Sequence, residues 1–303
     1  MKKTEIYILG GFLGSGKTTL LRNIIKEEKK AGRKIAVLLN ELGSISVDTG
    51  LIGEDVPLKE LFDGCICCSI QDKLEVQLHE LLSSNDLDSI YIETTGAAHP
   101  VEVLDSIMSP LFADQLIYKG IVGVVDLLRW KDREKLPPHL RQLLLEQIRH
   151  ADLILLNKQD LVSEIDAGQI LFSIQNINPN AFCLLTSQAR ISLDMIRNMN
   201  MQPKDASKIS GSKHSLQLEA LVHRFEDAIK QREFEEWLRN LPDTIYRMKG
   251  YIKFSHSDYP YLFQYSYGMP LFLQEGLNLP LNLVIIGEEL DKAGILDQLE
   301  NLG

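Results

Sequence analysis

No apolar stretch in this 303-residue sequence approaches the roughly 20 residues that a bilayer span needs. The longest, such as Ile121–Val125 and Leu153–Leu156, are of strand length, so no membrane partner is expected. Positive charge is scarce: 32 Lys and Arg against 42 Asp and Glu give a net charge of −10. The dense basic field that neutralises phosphate backbones is missing, which argues against nucleic acid as a partner. Met1-Lys2-Lys3 runs directly into an apolar strand and a glycine loop with no small-residue cleavage site, so the chain is expected to stay in the cytoplasm. Cysteine is sparse as well. Of four, three fall together at Cys65, Cys67 and Cys68, and Cys183 lies alone in an apolar run where a core position is expected. A disulfide framework would spread its cysteines, so the cluster points to metal binding or redox chemistry.

What is present is ordinary globular composition, with 45% hydrophobic and 24% charged residues. Short apolar runs at Ile6–Leu9, Ile35–Leu39, Ser89–Ile92, Ile121–Val125, Leu153–Leu156 and Ala181–Leu185 read as buried strands separated by amphipathic segments. That alternation predicts an α/β fold, a mostly parallel sheet with helices on both faces. A stretch rich in Lys, Ser, Asp and Gly follows a short helix near 193–200 and has no apolar period. It divides the chain into a domain over 1–203, a linker over 204–214 and a smaller α+β domain over 215–303. In that second part a helix is expected over Arg232–Asn240, strands over Ile245–Ser255, Leu262–Tyr267 and Leu281–Ile286, and a last helix from Glu288. Leu216–Phe225 fits both periods, with helix slightly preferred. His214 and His223 read as solvated.

Gly11-Phe12-Leu13-Gly14-Ser15-Gly16-Lys17-Thr18 matches G-x-x-x-x-G-K-[ST] between a strand and a helix that starts near Thr19. Glycines at 11, 14 and 16 let backbone N–H groups turn inward around phosphate oxygens at the positive end of a helix. Lys17 would reach the β- and γ-phosphates, and Thr18 would offer its hydroxyl to Mg²⁺. Asn157-Lys158-Gln159-Asp160 follows a later strand and has the N-K-x-D pattern. The Asp160 carboxylate can accept both N1–H and the N2 amine of guanine, whereas adenine has no matching edge, so GTP is favoured over ATP. Thr186 to Ala189 could pack on the base with backbone donors or form an ordinary surface turn. At Glu93-Thr94-Thr95-Gly96, Glu93 is the acid on the Mg²⁺ side and Gly96 the glycine near the γ-phosphate. No glutamine follows to orient an attacking water, so slow intrinsic GTPase activity is expected.

Gly64-Cys65-Ile66-Cys67-Cys68 places three thiolates where they can converge on one soft cation, with a fourth position left for another ligand. A strained Cys67–Cys68 disulfide, a redox or nucleophilic thiol, and a packed apolar cluster are the competing uses.

Taken with Asn40-Glu41-Leu42-Gly43 and Asp48, these ordered motifs resemble the CobW-type P-loop GTPases, relatives of the urease and hydrogenase nickel-insertion GTPases. Arg247-Met248-Lys249-Gly250, Phe263-Gln264, Ile286-Gly287 and Leu290-Asp291 resemble that family's C-terminal domain. The resemblance implies a metallochaperone that carries zinc or cobalt on the cysteine motif, with Glu41 as a further ligand and affinity coupled to nucleotide state. It implies that a client metalloprotein or metal cofactor would receive the ion, and a homodimer is compatible with this scheme. It also implies that Leu216–Phe225 begins as a strand. Ser44 stands where the family often has a second acid, and Gln71 where an Arg is common. Two other functions compete: a P-loop small-molecule kinase with structural cysteines, and a non-hydrolysing metal and nucleotide sensor.

Overall fold

A computed structural model describes residues 2–39, 58–60, 70–84, 86–199, 218–266 and 268–302. Up to residue 197 the described chain consists of strands interspersed with helices. The elements are β1 (Thr4–Gly11), α1 (Lys17–Lys30), β2 (Ile35–Leu39), β3 (Leu58–Glu60), α2 (Ile70–Ser84), β4 (Ser89–Glu93) and α3 (Pro100–Ile107). They continue with β5 (Leu116–Asp126), α4 (Leu127–Lys131), α5 (Pro138–Arg149), β6 (Leu153–Asn157), α6 (Glu164–Ile177), β7 (Phe182–Leu185) and α7 (Leu193–Arg197). The seven strands form one sheet in the order β3-β2-β4-β1-β5-β6-β7, and the β2–β3, β2–β4, β1–β4, β5–β6 and β6–β7 pairs are parallel. Every residue of β2, β4 and β6 is buried, which is why these strands appear in sequence as unbroken apolar runs instead of alternating ones.

One buried charge organises the face covered by α1 and α7. Glu28 is fully buried; Tyr91 Oη and Arg197 donate to its carboxylate, and the Arg33 guanidinium lies 3.6 Å away. Tyr7 stacks on Tyr91 with centroids 4.9 Å apart. A buried carboxylate is tolerable only with such partners, so the network fixes α1 against β4 and α7.

The remaining elements are β8 (Leu218–Arg224), α8 (Gln231–Arg239), β9 (Ile245–Ile252), β10 (Tyr261–Ser266), β11 (Met269–Gln274), β12 (Asn282–Glu288) and α9 (Lys292–Glu300). They build an antiparallel sheet in the order β11-β10-β9-β12-β8. Phe234 is its aromatic centre, edge-on to Phe263 at 5.1 Å and packed among Trp237, Phe254, Leu283 and Ile285. Two compact units result: one of Thr4–Val103 and Tyr118–Gln217, the other of Leu218–Gly303 with Met1–Lys3 and Leu104–Ile117. Within the second, buried Asn282 donates from Nδ2 to the Pro110 carbonyl at 2.7 Å, fastening the 104–117 excursion to β12.

Several expectations need correction. The helical preference for Leu216–Phe225 fails over its described part, which is strand β8. Leu221 and Phe225 face the helices while Leu218 is buried on the opposite face, so apolar residues on both faces mimic a helical stripe. The strand expected over Ile245–Ser255 ends at Ile252. The last helix begins at Lys292, because β12 runs through Glu288 and the Asp291 carboxylate caps the helix by accepting from Gly294 N. Strand β11 went unforeseen; it is an edge strand carrying Pro270, and Met269, Leu271 and Leu273 are exposed. His223 is buried and edge-on to Phe225, with burial pulling its pKa down, so it is not a solvated histidine; His214 lies outside the described residues. Cys183 is only partly buried on β7, where burial pushes its thiol up to about 11.

Candidate functional site

The carboxyl ends of β1, β4, β5 and β6 lie side by side, the place where open α/β sheets bind ligands. Register brings the motifs together: Glu93 is level with Leu9, just before the glycine loop, and Asp126 is level with Asn157. Gly11, Gly14 and Gly16 have φ of 134°, 75° and 114°. At Gly16 a Cβ would in addition lie 2.4 Å from Asn157 Nδ2, so only glycine allows the loop to close on β6. Asn157 Nδ2 donates to Ser15 O at 2.8 Å, and its Oδ1 accepts from Ala189 N at 2.9 Å. One side chain thus joins the phosphate loop to the 186–189 turn. Asn23 of α1 secures that turn from the other side, donating to the Gln188 and Ala189 carbonyls at 3.0 and 3.1 Å.

Lys17 is buried, with Nζ donating to the Gly11 and Phe12 carbonyls at 2.9 and 3.3 Å across the mouth of the loop. Thr18 Oγ1 donates to Glu93 Oε1 at 2.7 Å. A hydroxyl whose proton is held by a carboxylate keeps its lone pairs for a cation, and both donors are hard oxygens, so the pair fits Mg²⁺. Thr19 sits half-buried in the first turn of α1, which starts at Lys17, two residues before the expected position. Thr94 is held by Leu9 O, which accepts both its N–H and its hydroxyl at 3.0 and 3.2 Å.

At the other end Lys158 takes a left-handed φ of 66°, and a 3₁₀ turn over Gln159–Leu161 leaves Asp160 exposed. Lys158 Nζ pairs with Asp126 Oδ2 at 2.6 Å. Of the backbone donors expected from the 186–189 turn, Ala189 N–H is already committed to Asn157 and Thr186 N–H to Leu156 O. Cys65, Cys67, Cys68 and Glu41 lie outside the described residues.

Residues 5–184 match the CobW/HypB/UreG nucleotide-binding domain, and residues 218–302 the cobalamin synthesis protein cobW C-terminal domain. The chain belongs to the CobW/HypB/UreG family. Among CobW relatives, the zinc chaperone YjiA of Escherichia coli is 35% identical over 207 residues, covering 66% of this chain and 63% of that protein. A zinc-regulated GTPase metalloprotein activator 1 from Dictyostelium discoideum is 29% identical over 235 residues, covering 66% of this chain and 49% of that protein. The match therefore spans less than two thirds of either relative. The solved structure of Zn(II)-bound YjiA GTPase from E. coli aligns over 100% of both chains with a TM-score of 0.52 at 24% identity, a likeness of fold. Among the described residues no helix is long and apolar enough to cross a membrane.

Three further residues around the glycine loop belong to no short sequence pattern. Asp126 ends strand β5, Arg129 lies in α4 directly after it, and Gln147 comes from α5. Buried Gln147 donates from Nε2 to the carbonyls of Gly96 and Ala98 at 3.2 and 3.1 Å, bracing the loop after Glu93. Beside it, Glu146 is held down to about 2, first by the His150 hydrogen bond and further by Arg149. Because its folded value is depressed from 4.5, the stability it contributes is complete above pH 4.5 and is lost as pH falls toward about 2. Urea unfolding of the protein should accordingly show an acid limb between these values that is reduced in Glu146→Gln. An unchanged limb would contradict the assignment.

Proposed function

We propose that this chain binds GTP, hydrolyses it slowly, and delivers a transition-metal ion, zinc or cobalt, to a client metalloprotein or metal cofactor. The observation that carries the reading is the Thr18–Glu93 pair at the mouth of a glycine loop whose far side is tied by Asn157 to the base-side turn. In this reading Gly11, Gly14, Ser15, Gly16, Lys17, Thr18 and Thr19 cradle the phosphates, Gly96 faces the γ-phosphate, and Asn157, Lys158 and Asp160 select guanine. Thr18 and Glu93 would hold Mg²⁺, which neutralises charge on the β- and γ-oxygens when bound.

The cargo ion would sit on Cys65, Cys67 and Cys68, with Glu41 as a further ligand, as the names of the zinc-chaperone relatives encourage. Residues 1–203 would act as the GTPase domain, 204–214 as a linker, and 215–303 as the second domain. The loops between Thr18 and Glu93 are where γ-phosphate and Mg²⁺ hold switch segments in GTPases, which gives a route from hydrolysis to metal release. The test is zinc affinity, by chelator competition, with GDP and with a non-hydrolysable GTP analogue. A difference of about tenfold or more between the two states is expected, and Cys67→Ser should weaken both. Equal affinities would remove the coupling, since a ligand without differential affinity shifts nothing.

A further inference from the structure

We propose that Arg129 is a positioning residue that sets the γ-phosphate side of the glycine loop and so separates GTP from GDP. The assignment rests on the GTP-binding reading above. Arg129 projects from α4 with its guanidinium over the Phe12 ring, 5.0 Å from the centroid, and donates from Nη1 to the Leu13 carbonyl at 2.9 Å. Planar stacking combined with a directed N–H is something a guanidinium does and an ammonium does not.

The consequence follows from peptide geometry. A trans peptide points its N–H opposite to its C=O, and the Leu13 carbonyl shares its peptide with the N–H of Gly14. Drawing that carbonyl toward Arg129 aims the Gly14 N–H away from Arg129, into the concave side of the loop. A charged donor on the carbonyl also polarises the peptide and strengthens its N–H as a donor. This segment lies against the loop after Glu93: a Cβ on Gly96 would come within 2.6 Å of Leu13 N. The two strands of backbone that meet here are the tip of the glycine loop and the loop that reads the terminal phosphate.

Arg129 is itself held. Asp126 Oδ1 accepts from the backbone N–H groups of Leu128 and Arg129 at 2.9 and 3.2 Å, and its Oδ2 accepts from Lys158 Nζ. One carboxylate thus connects the N-K-x-D lysine at the base end to the turn that presents Arg129 at the phosphate end.

Calorimetry on the full chain with Mg²⁺, using GDP and a non-hydrolysable GTP analogue, tests the assignment together with single-turnover hydrolysis. Arg129→Ala should weaken the analogue about tenfold and slow hydrolysis by a similar factor, with GDP affinity changed less than about twofold. Arg129→Lys should recover only part of the loss, because it restores charge without the stacked planar donor. Phe12→Leu, which removes the ring and leaves the guanidinium, should give a smaller loss of the same kind, and combining it with Arg129→Ala should add little. Equal weakening of both nucleotides, wild-type behaviour of Arg129→Ala, or full rescue by lysine overturns the proposal. Failure of the unaltered chain to bind either nucleotide defeats the GTP reading itself, and the Arg129 role with it.

Discussion

Lys17→Ala should weaken binding of both GTP and GDP by about 10- to 100-fold, the loss expected when one or two charge-assisted hydrogen bonds to phosphate disappear. The effect should fall on binding and not on folding. Lys17 Nζ donates to the Gly11 and Phe12 carbonyls, the first contact buried and the second partly so, and water can take the place of the ammonium in the space the shortened side chain leaves. The loop's shape is set elsewhere, by the left-handed glycines and by Asn157 reaching Ser15 O. Calorimetric titration beside a thermal melt checks both halves; normal affinity in a folded variant would contradict the placement of phosphate.

Glu93→Gln should lower Mg²⁺-dependent hydrolysis by about 100- to 1,000-fold, the usual consequence of removing a preorganised charged group from the reacting end of a site. The neutral amide can still accept from Thr18 Oγ1, so the 2.7 Å contact and the packing of a residue only 3% exposed are largely kept. What is lost is the negative charge that, in the proposed reading, would hold the cation. Nucleotide affinity without Mg²⁺ should therefore change little, while the gain in affinity on adding Mg²⁺ should shrink. Steady-state phosphate release at saturating GTP reads the first effect, and magnesium titration the second. A variant with unchanged turnover would remove Glu93 from the cation side.

Much of this site was legible in the sequence because its chemistry is local. A glycine loop between a strand and a helix, and an N-K-x-D after a strand, carry their geometry in consecutive residues, and buried parallel strands advertise themselves as unbroken apolar runs. The connections between motifs were not legible. Asn157 is visible as a motif letter, but its bridge from Ser15 O to Ala189 N depends on β6 lying beyond β5 from β1, which no spacing reveals. Gln147 and Arg129 act from α5 and α4 through carbonyls of the loops they brace, and carbonyls have no sequence signature. In the second unit, β8 was misleading for a different reason. A strand with apolar residues on both faces loses the alternation by which strands are recognised, and its pairing with β12 outweighs the helical stripe. Likewise the tie between Asn282 and Pro110 joins residues far apart in the chain, and neither neighbourhood predicts it.

The central claim is that the glycine loop and the Asn157–Asp160 turn grip a guanine nucleotide. It is tested most directly by calorimetric titration of the protein, in Mg²⁺, with GDP and ADP, before and after Asp160→Asn. The expected result is saturable GDP binding at least about tenfold tighter than ADP, with that preference lost in the variant, since an amide cannot accept both donor groups of guanine. Absence of GDP binding, or equal binding of ADP and GDP by the unaltered protein, would contradict the account.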